Sequence, residues 1–87
     1  MKIIKKDGRI QDLEVEKIKN SIWGASKDSN TIINESDLKI LTKRVIKIVT
    51  EIRGRDGITS SYEVQAIIIE SLYKDGFKRI ANAYLRY

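Results

Sequence analysis

Short β-prone runs open the chain, and helical spacing takes over from Val15 onward. Ile3-Ile4-Lys5-Lys6 and Arg9-Ile10-Gln11-Asp12-Leu13 flank an Asp7-Gly8 pair. Asp-Gly between two such runs predicts a β-hairpin, because a type I′ turn requires positive φ at both central positions. With a two-residue turn, Lys6 faces Arg9 and Lys5 faces Ile10 across the ladder. Three cations then crowd one small hairpin.

Four helical patterns follow. Val15, Ile18, Ile22 and Ala25, with Trp23 alongside, share a helical face and predict a helix over 15–27. Asp28-Ser29-Asn30 ends it. Leu38, Leu41, Val45, Ile48 and Ile52 alternate steps of three and four, a stripe over four turns. Asn34 with Asp37 predicts the start of that second helix, and Arg53-Gly54-Arg55-Asp56-Gly57 its end. Ser60-Ser61-Tyr62-Glu63 fits a capping box in which Ser60 accepts from the Glu63 amide and the Glu63 carboxylate reaches back. The third helix runs to Tyr73, burying Val64, Ile67, Ile68 and Leu72, and Asp75-Gly76 stops it. A last helix opens at Phe77 and presents Ile80, Ala81, Tyr84 and Tyr87. None of these stripes is hidden by its own helix. The expected fold is mainly α with a small β element: an N-terminal β-hairpin packed on a four-helix bundle.

Length and composition narrow the chemistry. Eighty-seven residues fill one domain with one modest core, expected here as a single regulatory unit over 1–87. The pattern ending inside a helix, and Met1 directly before the first strand, suggest the N-terminal piece of a longer protein. At 41% hydrophobic and 33% charged, the chain is too apolar for a disordered one. It contains no Cys and no His. Disulfide scaffolds, zinc ribbons, thiol nucleophiles and imidazole acid–base catalysis are therefore excluded. No apolar run reaches ~18 residues, and the charged start does not fit a signal peptide, so a cytoplasmic location without membrane contact is expected. The net charge of +5 favours an anionic partner: a nucleotide, a nucleic acid or an acidic surface. Asp and Glu are scattered, with no cluster for metal or paired acid–base work, so an independent enzyme is not expected.

A convergence of Lys5, Lys6 and Lys17 would make a triphosphate site, since Lys17 lies about one turn into the helix that must pack against the hairpin. A micromolar site is worth ~8 kcal/mol, more than one exposed lysine supplies. Taken in order, Ile3-Ile4-Lys5-Lys6-Asp7-Gly8-Arg9, Gln11-Asp12-Leu13, Glu16-Lys17-Ile18, Ser60-Ser61-Tyr62-Glu63-Val64-Gln65 and Ala81-Asn82-Ala83-Tyr84 resemble the ATP-cone domain of ribonucleotide reductases. The resemblance spans nearly the whole chain.

That resemblance implies that the hairpin closes a nucleotide pocket over the bundle. Lys5, Lys6 and Lys17 would meet the phosphates, with Ser61 and Gln65 donating from the first turn of the third helix. Ile3, Leu13 and Ile18 would sandwich the purine, while Gln11 and Glu14 reach its polar edge. Gln11 stands where many members carry Glu, and Gln65 where some carry His. The implied ligand is ATP or dATP, accompanied by magnesium. The implied role is an activity switch, in which ATP permits reduction and dATP prevents it by changing subunit assembly. Partners would be the rest of a reductase polypeptide and, with nucleotide, further copies of the chain. The lysine-rich hairpin and simple architecture suggest the anaerobic, glycyl-radical class. Members that are transcriptional repressors carry a zinc ribbon before the cone, which a chain without cysteine lacks.

The alternative is a basic nucleic-acid-binding or transcription-regulator module, with Trp23, Tyr62, Tyr73, Tyr84 and Tyr87 stacking on bases. Against it, the cations are spread over every element, and the aromatics fall mainly on apolar stripes. A plain interaction domain would bind no nucleotide at all.

Overall fold

The computed structural model describes residues 1–86. Strands β1 (Lys2–Ile4) and β2 (Ile10–Asp12) pair antiparallel in the register Lys2↔Asp12, Ile3↔Gln11 and Ile4↔Ile10. The connection differs from the expected two-residue turn. The Lys5 amide donates to the Arg9 carbonyl (2.8 Å), and the Gly8 amide donates to the Lys5 carbonyl (2.9 Å). Lys5 therefore faces Arg9, Lys6 sits in the loop, and only Gly8 takes positive φ, at 88°. Asp7 needs no left-handed backbone, because its carboxylate accepts from the Arg9 amide (3.1 Å) and Nε (2.6 Å). This is a β-turn closed by a left-handed glycine, the usual three-residue solution.

A third strand joins the hairpin, and the sequence pattern does not announce it. β3 (Ile58–Ser60) runs parallel to β1, pairing Lys2↔Ile58, Ile3↔Thr59 and Ile4↔Ser60, so the sheet order is β2-β1-β3. Three residues are too few to show a period, and their partner β1 lies far upstream, at Lys2–Ile4. Gly57 leads into this strand and accepts from the Lys2 amide at 3.1 Å. A Cβ on Gly57 would fall 2.0 Å from the Arg53 carbonyl oxygen, so only glycine fits.

Helices α1 (Val15–Asp28), α2 (Glu35–Arg53), α3 (Ser61–Lys74) and α4 (Lys78–Tyr84) pack α1 on α2, α2 on α3, α3 on α4 and α4 on α1. The expected hairpin on a four-helix bundle is thus found, enlarged by one strand. The core joins Ile18 and Ile22 of α1, Leu38, Leu41, Val45 and Val49 of α2, Val64, Ile68 and Leu72 of α3, and Ile80 and Tyr84 of α4, with Ile3 from the sheet. Two expected core positions are solvent-facing: Val15 is 48% exposed and Ile52 is 55% exposed. Both stand at helix ends. At about 1.5 Å per residue, α2 spans ~28 Å against ~21 Å for α1 and α3, so its last turn overhangs the bundle. The buried stripe instead takes in Thr42 and Val49, with Thr42 Oγ1 bonded to the Leu38 carbonyl at 2.8 Å. Ile48 is only half-buried.

The caps follow the sequence closely. The Asn34 side chain accepts from the Asp37 amide (2.8 Å), and Ser60 Oγ from the Glu63 amide (3.1 Å). The second half of the expected capping box does not form. The Glu63 carboxylate turns instead to Arg53 and Thr59. Gly76 has φ of 85° behind α3, and Asn30, with φ of 57°, follows α1. Tyr87, expected on the last helix, lies outside the described residues.

Candidate functional site

Between the inner face of the sheet and helices α1 and α3 lies a cleft of about 480 Å³. Its walls follow from two periodicities. On β1 and the residue after it, period two turns Ile3 and Lys5 inward. Opposite them, β2 turns Gln11 inward, and Leu13 follows. On the first turns of α1, Glu14, Lys17, Ile18 and Ser21 line the cleft, and on α3, Ser61, Val64, Gln65 and Ile68 do so. Each helix thus offers one face at spacings of three, four and seven. Tyr84 of α4 also lines the cleft, as do Lys6, Asp7 and Arg9 of the hairpin loop and Asp12 of β2.

All ten residues singled out from the sequence border this one space: Ile3, Lys5, Lys6, Gln11, Leu13, Glu14, Lys17, Ile18, Ser61 and Gln65. Sequence reasoning passed over Ser21 and Tyr84. Ser21 stands seven residues after Glu14 and three after Ile18, a spacing that could have found it. Tyr84 was expected in the core, and it is indeed buried, with its hydroxyl 3.0 Å from Ser21 Oγ. Ser21 Oγ also lies 2.8 Å from the Ile18 carbonyl, to which it donates. Burial pushes the Tyr84 hydroxyl above its ordinary pKa.

The charges around the cleft are mostly matched. Asp7 pairs with Arg9 (2.6 Å), Asp12 with Lys2, and Glu14 with Lys17 (3.0 Å). The Arg9 amide holds Asp7 below the usual carboxylate range, and the Lys2 ammonium does the same for Asp12. The Lys6 ammonium lies 5.8 Å above the Tyr62 ring on the first turn of α3. Lys5 differs: it is half-buried and has no carboxylate partner among the described residues. Ser61 differs too, since its Oγ is covered and makes no hydrogen bond among the described residues. An unpartnered buried hydroxyl costs about 1–3 kcal/mol.

Register brings these two groups together. Ile4 lies opposite Ser60 in the parallel β1–β3 pair, so Lys5 and Ser61 follow at the same end of neighbouring strands. α3 begins at Ser61, and its first-turn amides add the positive end of a helix dipole. The arrangement suits an anion at the strand ends and a flat apolar group against Ile3, Leu13 and Ile18.

The aromatic residues divide. Tyr84 is buried, whereas Trp23 (44%), Tyr62 (65%) and Tyr73 (41%) are exposed, contrary to the expected placement on buried stripes. Of these exposed rings, only Tyr62 meets a group of the cleft. No helix among the described residues is long and apolar enough to cross a membrane.

No curated protein matches the chain. The family model of the ATP cone domain matches residues 1–87, the full sequence. That match over the whole sequence shows that the chain belongs to the ATP cone domain family, whose role is regulatory nucleotide binding and not catalysis.

Proposed function

We propose that the cleft binds ATP or dATP and that the domain thereby switches the activity of a ribonucleotide reductase to which it is joined. The carrying observation is the covered Ser61 hydroxyl at the N-terminus of α3, aligned by register with Lys5, neither of which has a hydrogen-bond or ion-pair partner for its side chain among the described residues. Lys5, Lys6, Lys17, Ser61 and Gln65 would hold the phosphates, Ile3, Leu13 and Ile18 the purine, and Gln11 and Glu14 its polar edge. Lys17 would have to exchange Glu14 for phosphate, so its net contribution is smaller than that of Lys5. Among the described residues no three acidic side chains gather as a metal site, so magnesium would arrive on the phosphate oxygens. ATP and dATP differ only at the ribose 2′-hydroxyl. A switch between them needs a group satisfied by one and unpaired with the other, and each nucleotide must favour a different assembly.

Calorimetric titration with ATP, dATP, GTP and CTP, with and without magnesium, tests this reading. Saturable binding of ATP and dATP with little response to CTP is expected. A flat ATP titration at millimolar concentration would overturn it.

A further inference from the structure

The most heavily tied group next to the cleft does not itself line it. Arg53, the last residue of α2, donates from Nε to Glu63 Oε1 (2.9 Å) and from Nη2 to Oε2 (2.7 Å). Both carboxylate oxygens are held in a planar fork, the strong geometry for this pair. Thr59 Oγ1 donates to the same Oε1 at 2.7 Å, and the Glu63 amide is bound by Ser60 Oγ at 3.1 Å. Thr59 is buried on β3 directly opposite Ile3 of β1. One carboxylate therefore ties together the end of α2, the strand β3 and the first turn of α3. Ser61 and Gln65 line the cleft while Arg53, Thr59 and Glu63 do not. Two positions apart on a helix is about 200°, so Ser61 and Glu63 project to opposite sides of the same turn.

We propose that Arg53 is a positioning residue for the cleft: through Glu63 it fixes β3 and the first turn of α3 in the alignment that sets Ser61 against Lys5. The strength of triphosphate binding then depends on the C-terminal end of α2, outside the binding surface. This rests on the nucleotide reading above. Two physical effects act in the same direction. The fork removes freedom from the turn that carries the Ser61 hydroxyl and the first-turn amides, so less order is lost when phosphates bind. The guanidinium also matches the charge of a carboxylate that stands one turn from the expected phosphates. Without it, Glu63 would repel a polyanion and leave a neutral nucleoside unaffected.

The test uses the full chain with ATP, inorganic tripolyphosphate and adenosine as calorimetric ligands. Arg53→Met keeps the apolar stem and removes the fork. It is expected to weaken ATP and tripolyphosphate by roughly five- to thirty-fold and adenosine by less than about two-fold, with partial recovery in Arg53→Lys. Because part of the effect passes through Ser61, Arg53→Met and Ser61→Ala combined should cost less than the sum of their separate losses. ATP affinity unchanged in Arg53→Met, equal losses for ATP and adenosine, or full additivity with Ser61→Ala would each overturn the proposal. A wild-type chain that binds neither ATP nor adenosine overturns the nucleotide reading and this proposal with it. Normal wild-type binding matched by Arg53→Met overturns this proposal alone.

Discussion

Lys5 and Ile18 border the same cleft but differ in what surrounds them. Lys5 is half-buried and has no carboxylate partner among the described residues, so under the proposed reading its ammonium would meet an anion without breaking an ion pair. Ile18 is 5% exposed and belongs to the core as much as to the cleft. Lys5→Ala should therefore lower ATP affinity by roughly ten- to a hundred-fold, the loss of a charge-assisted hydrogen bond. Adenosine affinity and the melting temperature of the empty protein should hardly move. Ile18→Ala should weaken ATP and adenosine alike and cost about 2–4 kcal/mol of stability. Calorimetry with both ligands, beside a melting curve, separates the two behaviours. Equal losses for ATP and adenosine in Lys5→Ala would return that lysine to the role of solvated surface.

At the scale of elements, β3 governs how the cleft is assembled. It is three residues long, yet it aligns the start of α3 with the end of β1. Gly57 is its vulnerable point. A Cβ there meets the Arg53 backbone at 2.0 Å, and backbone cannot rotate aside as a side chain can. Gly57→Ala should cost roughly 2–3 kcal/mol and loosen the strand. The urea midpoint should fall, and the Lys2 amide, which donates to Gly57, should exchange faster with solvent. Gly8→Ala is a useful contrast: no atom lies within 4 Å of its added Cβ, and only the φ of 88° resists it. Its cost should be nearer 1 kcal/mol. An Ala at position 57 that left both midpoint and exchange unchanged would show that β3 is not held from that side.

For the whole molecule, an 87-residue domain has stability of only ~4–13 kcal/mol, so one well-formed carboxylate–guanidinium pair is felt globally. The Arg53 guanidinium and the Thr59 hydroxyl lower Glu63 from its ordinary 4.5 to about 2. A carboxyl with a lower pKa in the folded state stabilises that state above its unfolded pKa. The stabilisation is lost as pH falls from about 4.5 through about 2. With Arg53 partly exposed to solvent, the amount is on the order of 2 kcal/mol. Urea midpoints measured at pH 7, 4 and 2.5 should fall steeply for the native chain. Glu63→Gln should start lower and decline less over the same window. Parallel curves would assign the acid sensitivity to other carboxylates, of which Asp7, Asp12 and Glu35 are also held low.

What was legible in the sequence is what is decided within a few residues of chain. Helical stripes, the Asn34 and Ser60 caps, the Gly76 stop and the existence of the hairpin depend on neighbours three or four positions away. The ten residues that the family resemblance implied also border one cleft, although helical and strand periods account only for which side of its own element each one takes. Tertiary structure decided the rest. Whether the Glu63 carboxylate reaches back to its cap or out to Arg53 is settled by a helix end ten residues upstream. β3 exists only through pairing with β1, a segment far upstream in the sequence. That pairing sets Lys5 beside Ser61, and local spacing carries no information about it. Contacts between distant segments gain their free energy only when the whole domain assembles. The charge balance around the cleft was therefore fixed by the fold, while the side that each residue takes on its own helix or strand was already set by local spacing.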